Sequence, residues 1–154
     1  MSGLDPKHHM DRGYFWIGLW GGVVPDNLGT LLRHAHILGA KQFFTVEARY
    51  TGDPSDTGKS WKIVPAVHYE NIEDFYLHIP MGATLIGIER NGMPLSRFVH
   101  PERAVYILGA EDIGLTRQMR ELCDKIVTVD YVVNIPYNVA TCGTIVMWHR
   151  RFIA

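Results

Sequence analysis

Several things are scarce in this sequence, and each shortage removes a class of protein. No apolar run reaches the roughly 18 residues that a membrane-spanning helix needs. The polar start, MSGLDPKHHMDRG, lacks the apolar core of a secretory signal, and residues 1–12 are expected to form a flexible tail. Cysteine is rare: only Cys123 and Cys142 occur, each inside an apolar segment, so two reduced, buried thiols are expected rather than a disulfide. Together these features point to the cytosol. Excess charge is missing too, the net being −1 with eight histidines counted as neutral. Proteins that grip nucleic acid through its phosphates are usually basic. A nucleic-acid partner would therefore need locally clustered cations, or a dimer that pools two patches.

Common ligand motifs are also absent. Gly18, Gly21 and Gly22 do not form Gly-x-Gly-x-x-Gly ahead of a helix, and no acidic residue follows at the dinucleotide spacing, which argues against a Rossmann dehydrogenase. His34, His36, His68, His78, His100 and His149 lack a partnering cysteine or carboxylate at zinc spacing. His34 and His36 fall on different faces of a helix, so no metal is expected.

What is present is an ordinary globular composition, 47% hydrophobic and 20% charged over 154 residues, enough for one domain with a substantial core. Short apolar runs alternate with amphipathic stretches, which predicts an α/β domain with a mainly parallel sheet flanked by helices. Residues 14–20, 42–47, 83–88, 104–109 and 125–129 read as strands rich in β-branched and aromatic side chains, with 63–67 as a candidate edge strand. Helices are predicted over 27–38, with Asp26 as N-cap and Gly39 as stop, and over 71–78, 116–123 and 138–151. The last is apolar around much of its circumference, so one face is expected to meet another subunit. Residues 49–62 read as a loop from their Gly, Pro, Ser and Asp content, either functional or an ordinary solvated one with Trp61 folded back on the core.

Three segments fall where strands hand over to loops or helices, the edge of an open α/β sheet at which ligands bind. They are VVPDNLGTLLRHAHILGA (23–40), ILGAEDIGL (107–115) and NIPYNVATCGTIVMW (134–148). In the first, Asn27, Gly29, Arg33 and Gly39 stand at intervals of two, four and six residues. In the second, a hydrophobic strand runs into Gly109, Glu111 and Gly114. In the third, Asn138 and Val139 precede an apolar helix. This trio resembles the SpoU, or TrmH, branch of the SPOUT RNA methyltransferases, and the resemblance covers nearly the whole chain. The third motif departs from the family: Pro136 and Tyr137 stand for the usual Ser and Leu, and Thr128-Val129-Asp130 for the usual Ile-Pro-Met.

The resemblance implies a C-terminal trefoil knot that binds S-adenosylmethionine, a homodimer, and methylation of a ribose 2′-hydroxyl in tRNA or rRNA. It assigns Asn27, Arg33, Glu111 and Asn138 to catalysis, and the backbone at Ile88, Gly109, Thr128, Tyr137 and Val139 to the cofactor. An arginine is effectively always protonated, so Arg33 is expected to hold a phosphate and orient the hydroxyl, with the proton acceptor open. Arg49, Lys59, Trp61 and Lys62 combine cations with a stacking surface, which suits a splayed-out nucleotide. The alternative is a knotted S-adenosylmethionine- or RNA-binding module that transfers no methyl group.

Overall fold

The computed structural model describes residues 13–21, 25–47, 63–109 and 114–153. Six strands form one sheet: β1 (Tyr14–Trp20), β2 (Gln42–Val46), β3 (Ala66–Tyr69), β4 (Thr84–Pro94), β5 (Arg103–Leu108) and β6 (Lys125–Thr128). Their order is β3-β2-β1-β5-β4-β6, and every pairing is parallel. The helices are α1 (Pro25–Leu38), α2 (Ile72–His78), α3 (Arg117–Leu122) and α4 (Val139–Phe152). The edge strand predicted at 63–67 starts three residues later, at Ala66. Asp26 lies in the first turn of α1 instead of capping it, because the helix already begins at Pro25. Pro suits that place, since its fixed φ is helical and its missing N–H would have no partner there. The loop predicted over 49–62 lies outside the described residues, as does the tail expected over 1–12.

A sheet covered on both faces explains the near-continuous apolar runs. Ala104, Val105, Tyr106, Ile107 and Leu108 are all buried, although alternate residues point to opposite sides. One face of β1, through Phe15, Ile17 and Leu19, joins Leu28, Leu31, Leu32 and Ala35 of α1 and Val139, Ala140, Val146 and Met147 of α4. The other face packs Phe44, Val105 and Ile107 against Phe75 of α2 and Met119 of α3. Helices α1 and α4 lie close because α4 carries Gly143: a Cβ there would stand 2.7 Å from Leu31 Cδ1.

The far end of α4 is fastened by an arginine that the sequence pattern leaves unremarked. Arg150 is 7% exposed, and it donates to the carbonyls of Pro101 (2.7 Å) and Glu102 (2.9 Å) and to the Tyr106 hydroxyl (3.1 Å). A buried guanidinium is tolerated only when its donors are satisfied in this way. Next to it, Arg151 Nε donates to Leu38 O at 2.8 Å, which closes the C-terminal ends of α1 and α4 on each other.

Candidate active site

The carboxyl ends of β4, β5 and β6 converge on a cavity of about 440 Å³. That lies within the roughly 300–1,000 Å³ usual for small-molecule sites. Its walls come from Ile88, Glu89 and Arg90 of β4, from Leu108, Gly109 and Gly114 around the end of β5, and from Thr128 and Val129 at the end of β6. The stretch from Tyr131 to Tyr137 supplies the rim, and Val139 and Cys142 of α4 supply the remaining wall. Ile88, Gly109, Thr128, Tyr137 and Val139, singled out from sequence, all line this one cavity.

An irregularity in β4 shapes the site. Both Ile88 and Met93 register with Val127 of β6, so residues 89–92 loop out of the strand. Asn91 takes the left-handed conformation that this excursion needs, with φ 61°. One hydroxyl closes its neck: Thr128 Oγ1 donates to Glu89 O at 2.6 Å and accepts from Gly92 N at 2.7 Å. The Thr128 side chain is thereby engaged with protein backbone. The carboxylate of Glu89 accepts from Arg90 N at 2.8 Å and from Leu115 N at 2.7 Å.

The third motif is held by its departures as well as its matches. The Tyr137 hydroxyl donates to Asp130 O at 2.6 Å and so closes the turn that carries Pro136. Asp130 in turn accepts from the N–H and Oγ of Ser96, and those bonds hold its carboxyl below the usual carboxylate range. Asn138 is the N-cap of α4: its Oδ1 accepts from Ala140 N (3.0 Å) and Thr141 N (3.2 Å). Its Nδ2 donates to Asn27 Oδ1 at 3.0 Å, linking the starts of two helices that lie 111 residues apart in sequence. Both lone pairs of its oxygen and one of its two amide hydrogens are thereby engaged.

Arg33 lies two turns further along α1, half-buried. Its neighbour His34 meets Thr144 Oγ1 of α4 at 2.7 Å, and burial, with the charge of Arg33 second, pushes that imidazole below its ordinary value. Glu111 lies outside the described residues, and so do Arg49, Lys59, Trp61 and Lys62. Sequence reasoning missed Glu89, Arg90 and Cys142, which also line the cavity. A signal for Glu89 was available, since an acidic residue directly after a buried parallel strand opens on the ligand-binding edge of the sheet. Burial, with the charge of Glu89 second, pushes the Cys142 thiol up to about 12.

Solved structures share this architecture. The SpoU methyltransferase AviRb from Streptomyces viridochromogenes, in complex with AdoMet, superposes with a TM-score of 0.82 at 20% identity, over 97% of this chain and 62% of that one. An AdoMet-bound rRNA methyltransferase from Sinorhizobium meliloti gives 0.80 at 22% identity, over 94% and 57%. A protein whose structure addresses the 2-OH methylation of C/U34 on tRNA gives 0.80 at 16% identity, over 90% and 95%. The chain thus spans less than two thirds of the length of AviRb but nearly all of the last. No curated protein matches it. At these identities the likeness establishes the fold. The pattern of the SpoU rRNA Methylase family matches residues 15–148, which takes in the whole cavity and both asparagines, and the chain belongs to that family.

Proposed function

We propose that the protein uses S-adenosylmethionine to methylate a ribose 2′-hydroxyl in tRNA or rRNA. The observation that carries this reading is the meeting, in one cavity at the carboxyl ends of three parallel strands, of all five positions expected to hold the cofactor. The cavity suits such a ligand: Ile88, Leu108, Val129 and Val139 offer apolar walls for a flat base, and Glu89 offers a carboxylate. When bound, S-adenosylmethionine supplies a methyl group on a sulfonium whose sulfur leaves neutral. The chain's own task is to place a hydroxyl in line with that methyl, and positioning accounts for much of such acceleration. In this reading Arg33 holds a substrate phosphate and orients the hydroxyl, Asn138 and Asn27 keep the cofactor turn against α1, and Glu111 anchors this group. Arg49, Lys59, Trp61 and Lys62 take the nucleotide.

The chain works in this reading as one unit whose C-terminal segment is threaded in a trefoil knot. Residues between Val129 and Tyr137 line one cavity with Glu89, Arg90, Gly109 and Gly114 before the chain enters α4, which supports that arrangement. It acts as a homodimer, a reading favoured by Ile37, Trp148 and Phe152, which are 68%, 50% and 40% exposed where α1 and α4 close on each other. No helix among the described residues is long and apolar enough to cross a membrane. We place the enzyme in the cytoplasm. The rival reading, a binding module without transfer, draws on Pro136, which brings no hydroxyl to the cavity, while that of Tyr137 is engaged at Asp130.

Calorimetric titration with S-adenosylmethionine, followed by tritium-methyl transfer to total tRNA and rRNA, tests the proposal. Label recovered as a 2′-O-methylnucleoside is the expected result, and its loss in Arg33→Ala would tie it to this site. Binding without transfer to either RNA would support the rival reading. No binding would overturn both.

A further inference from the structure

We propose that Glu89 positions the cofactor loop and selects ligands by charge, preferring the sulfonium of S-adenosylmethionine to the neutral thioether left after transfer. The inference rests on the cofactor reading above. Its first support is geometric. Glu89 opens the excursion at 89–92, and Thr128 pins it there through its carbonyl at 2.6 Å. From that anchor its Oε2 reaches Leu115 N at 2.7 Å, a residue 26 positions away, and so ties the loop after β5 to β4. The reach also passes close to a motif glycine. Gly114 holds φ 70°, which favours glycine by itself, and a Cβ there would stand 2.1 Å from Glu89 Oε2.

The second support is electrostatic. A carboxylate has about four acceptor positions, and the two backbone donors fill only two of them. Glu89 lines the cavity and no ion pair engages it among the described residues. Arg90 is the other charged residue on that wall, and it is exposed, with its carbonyl accepting from Arg120 at 3.5 Å. The charge of Glu89 is felt across the cavity at Cys142, where it adds to burial in raising the thiol. A cationic cofactor entering this site meets a fixed negative charge in partly dehydrated surroundings. The spent cofactor has lost its positive charge and gains nothing from Glu89. The same carboxylate therefore favours exchange of product for fresh cofactor.

The test is calorimetric titration of wild type and Glu89→Gln with three ligands: S-adenosylmethionine, S-adenosylhomocysteine, and sinefungin, which carries an ammonium near the sulfonium position. Glutamine keeps the shape and an oxygen for Leu115 N, so the loop stays tied. Affinity for the two cations should fall about fivefold, the upper value for one half-exposed charge pair, while that for the thioether stays level. An equal fall for all three would leave Glu89 as a loop clamp and overturn charge selection, and no fall would overturn the whole proposal. Should the variant fail to fold, a salt series on wild type gives the answer: the preference for S-adenosylmethionine over the thioether should shrink as salt rises, and a constant preference would refute it. If wild type binds none of the three, the cofactor reading itself has failed, a result distinct from either.

Discussion

The link between Asn138 and Asn27 makes a quantitative claim that a single substitution can break. Asn138→Ala removes an N-cap that serves two backbone N–H groups, and losing such a cap costs about 1 kcal/mol. It also removes the 3.0 Å amide bond to Asn27, which contributes about 0.5–1 kcal/mol at a solvent-accessible position. The sum, about 1.5–2 kcal/mol, should lower the melting temperature by about 3–8 °C in a protein of this size. Asn138→Asp separates the two parts. Its carboxylate still accepts from Ala140 and Thr141 and suits the positive end of a helix, yet it cannot donate to Asn27. That variant should melt between the two, about 1–4 °C below wild type. A double-mutant cycle of Asn138→Ala with Asn27→Ala should then return a coupling of about 0.5–1 kcal/mol. Circular dichroism melts suffice for every arm. An alanine variant that melts within about 1 °C of wild type, with no coupling, would refute the reasoning.

Gly143→Ala sets a helix-propensity gain of about 1 kcal/mol against overpacking of about 1–3 kcal/mol, since the new Cβ would stand 2.7 Å from buried Leu31. Overpacking should win, with a melting temperature about 2–4 °C lower, and a stabilised variant would show that the two helices can move apart freely. Acid should weaken the fold with a definite sign. Burial holds His34 and His149 below the ordinary 6.5, so the unfolded chain binds protons first, and their contribution is present above that value and lost as pH falls through the native ones. Urea midpoints should therefore decline as pH drops below about 6.5, and more gently in a His34→Gln, His149→Gln double variant; identical slopes would remove the histidines as the cause. Both cysteines, pushed up to about 12, should resist iodoacetamide in the native protein near neutral pH. Rapid alkylation of Cys142, followed by mass spectrometry, would contradict its packing.

Periodicity was a good guide to the fold because the forces that set it are local or collective. Strands buried on both faces must be apolar throughout, and five runs of that kind mark β1, β2, β5 and β6 to within a residue or two and the first half of β4. The helices predicted to start at Asn71, Thr116 and Asn138 start one residue later, because each of these residues caps its helix. The excursion at 89–92 was not legible, because Glu-Arg-Asn-Gly after an apolar strand reads as a simple stop. Only the register of β6 against both Ile88 and Met93 reveals that the strand resumes. Arg150 was illegible for a related reason. Its partners are carbonyls of residues 101 and 102 and a hydroxyl on β5, and a buried arginine leaves no periodic trace when the tertiary fold supplies its acceptors.

The candidate site shows a different division between signature and chemistry. Several motif residues turn out to be engaged with protein. Asn138 has both acceptor positions on α4 and one donor on Asn27, the Thr128 hydroxyl clips the neck of a loop, and Gly114 leaves room for a carboxylate. These residues fix where backbone runs, which is what a cavity built largely from main chain requires. Their side-chain types follow from that geometry. The departures in the third motif fit the same logic. Pro136 can stand where the family has Ser because the turn does not rely on a hydroxyl there: the Tyr137 hydroxyl reaches Asp130 O, and Asp130 is itself held by Ser96. Replacing Pro136 by Ser would leave those bonds in place, whereas Tyr137→Leu, although it restores the family residue, would release the turn.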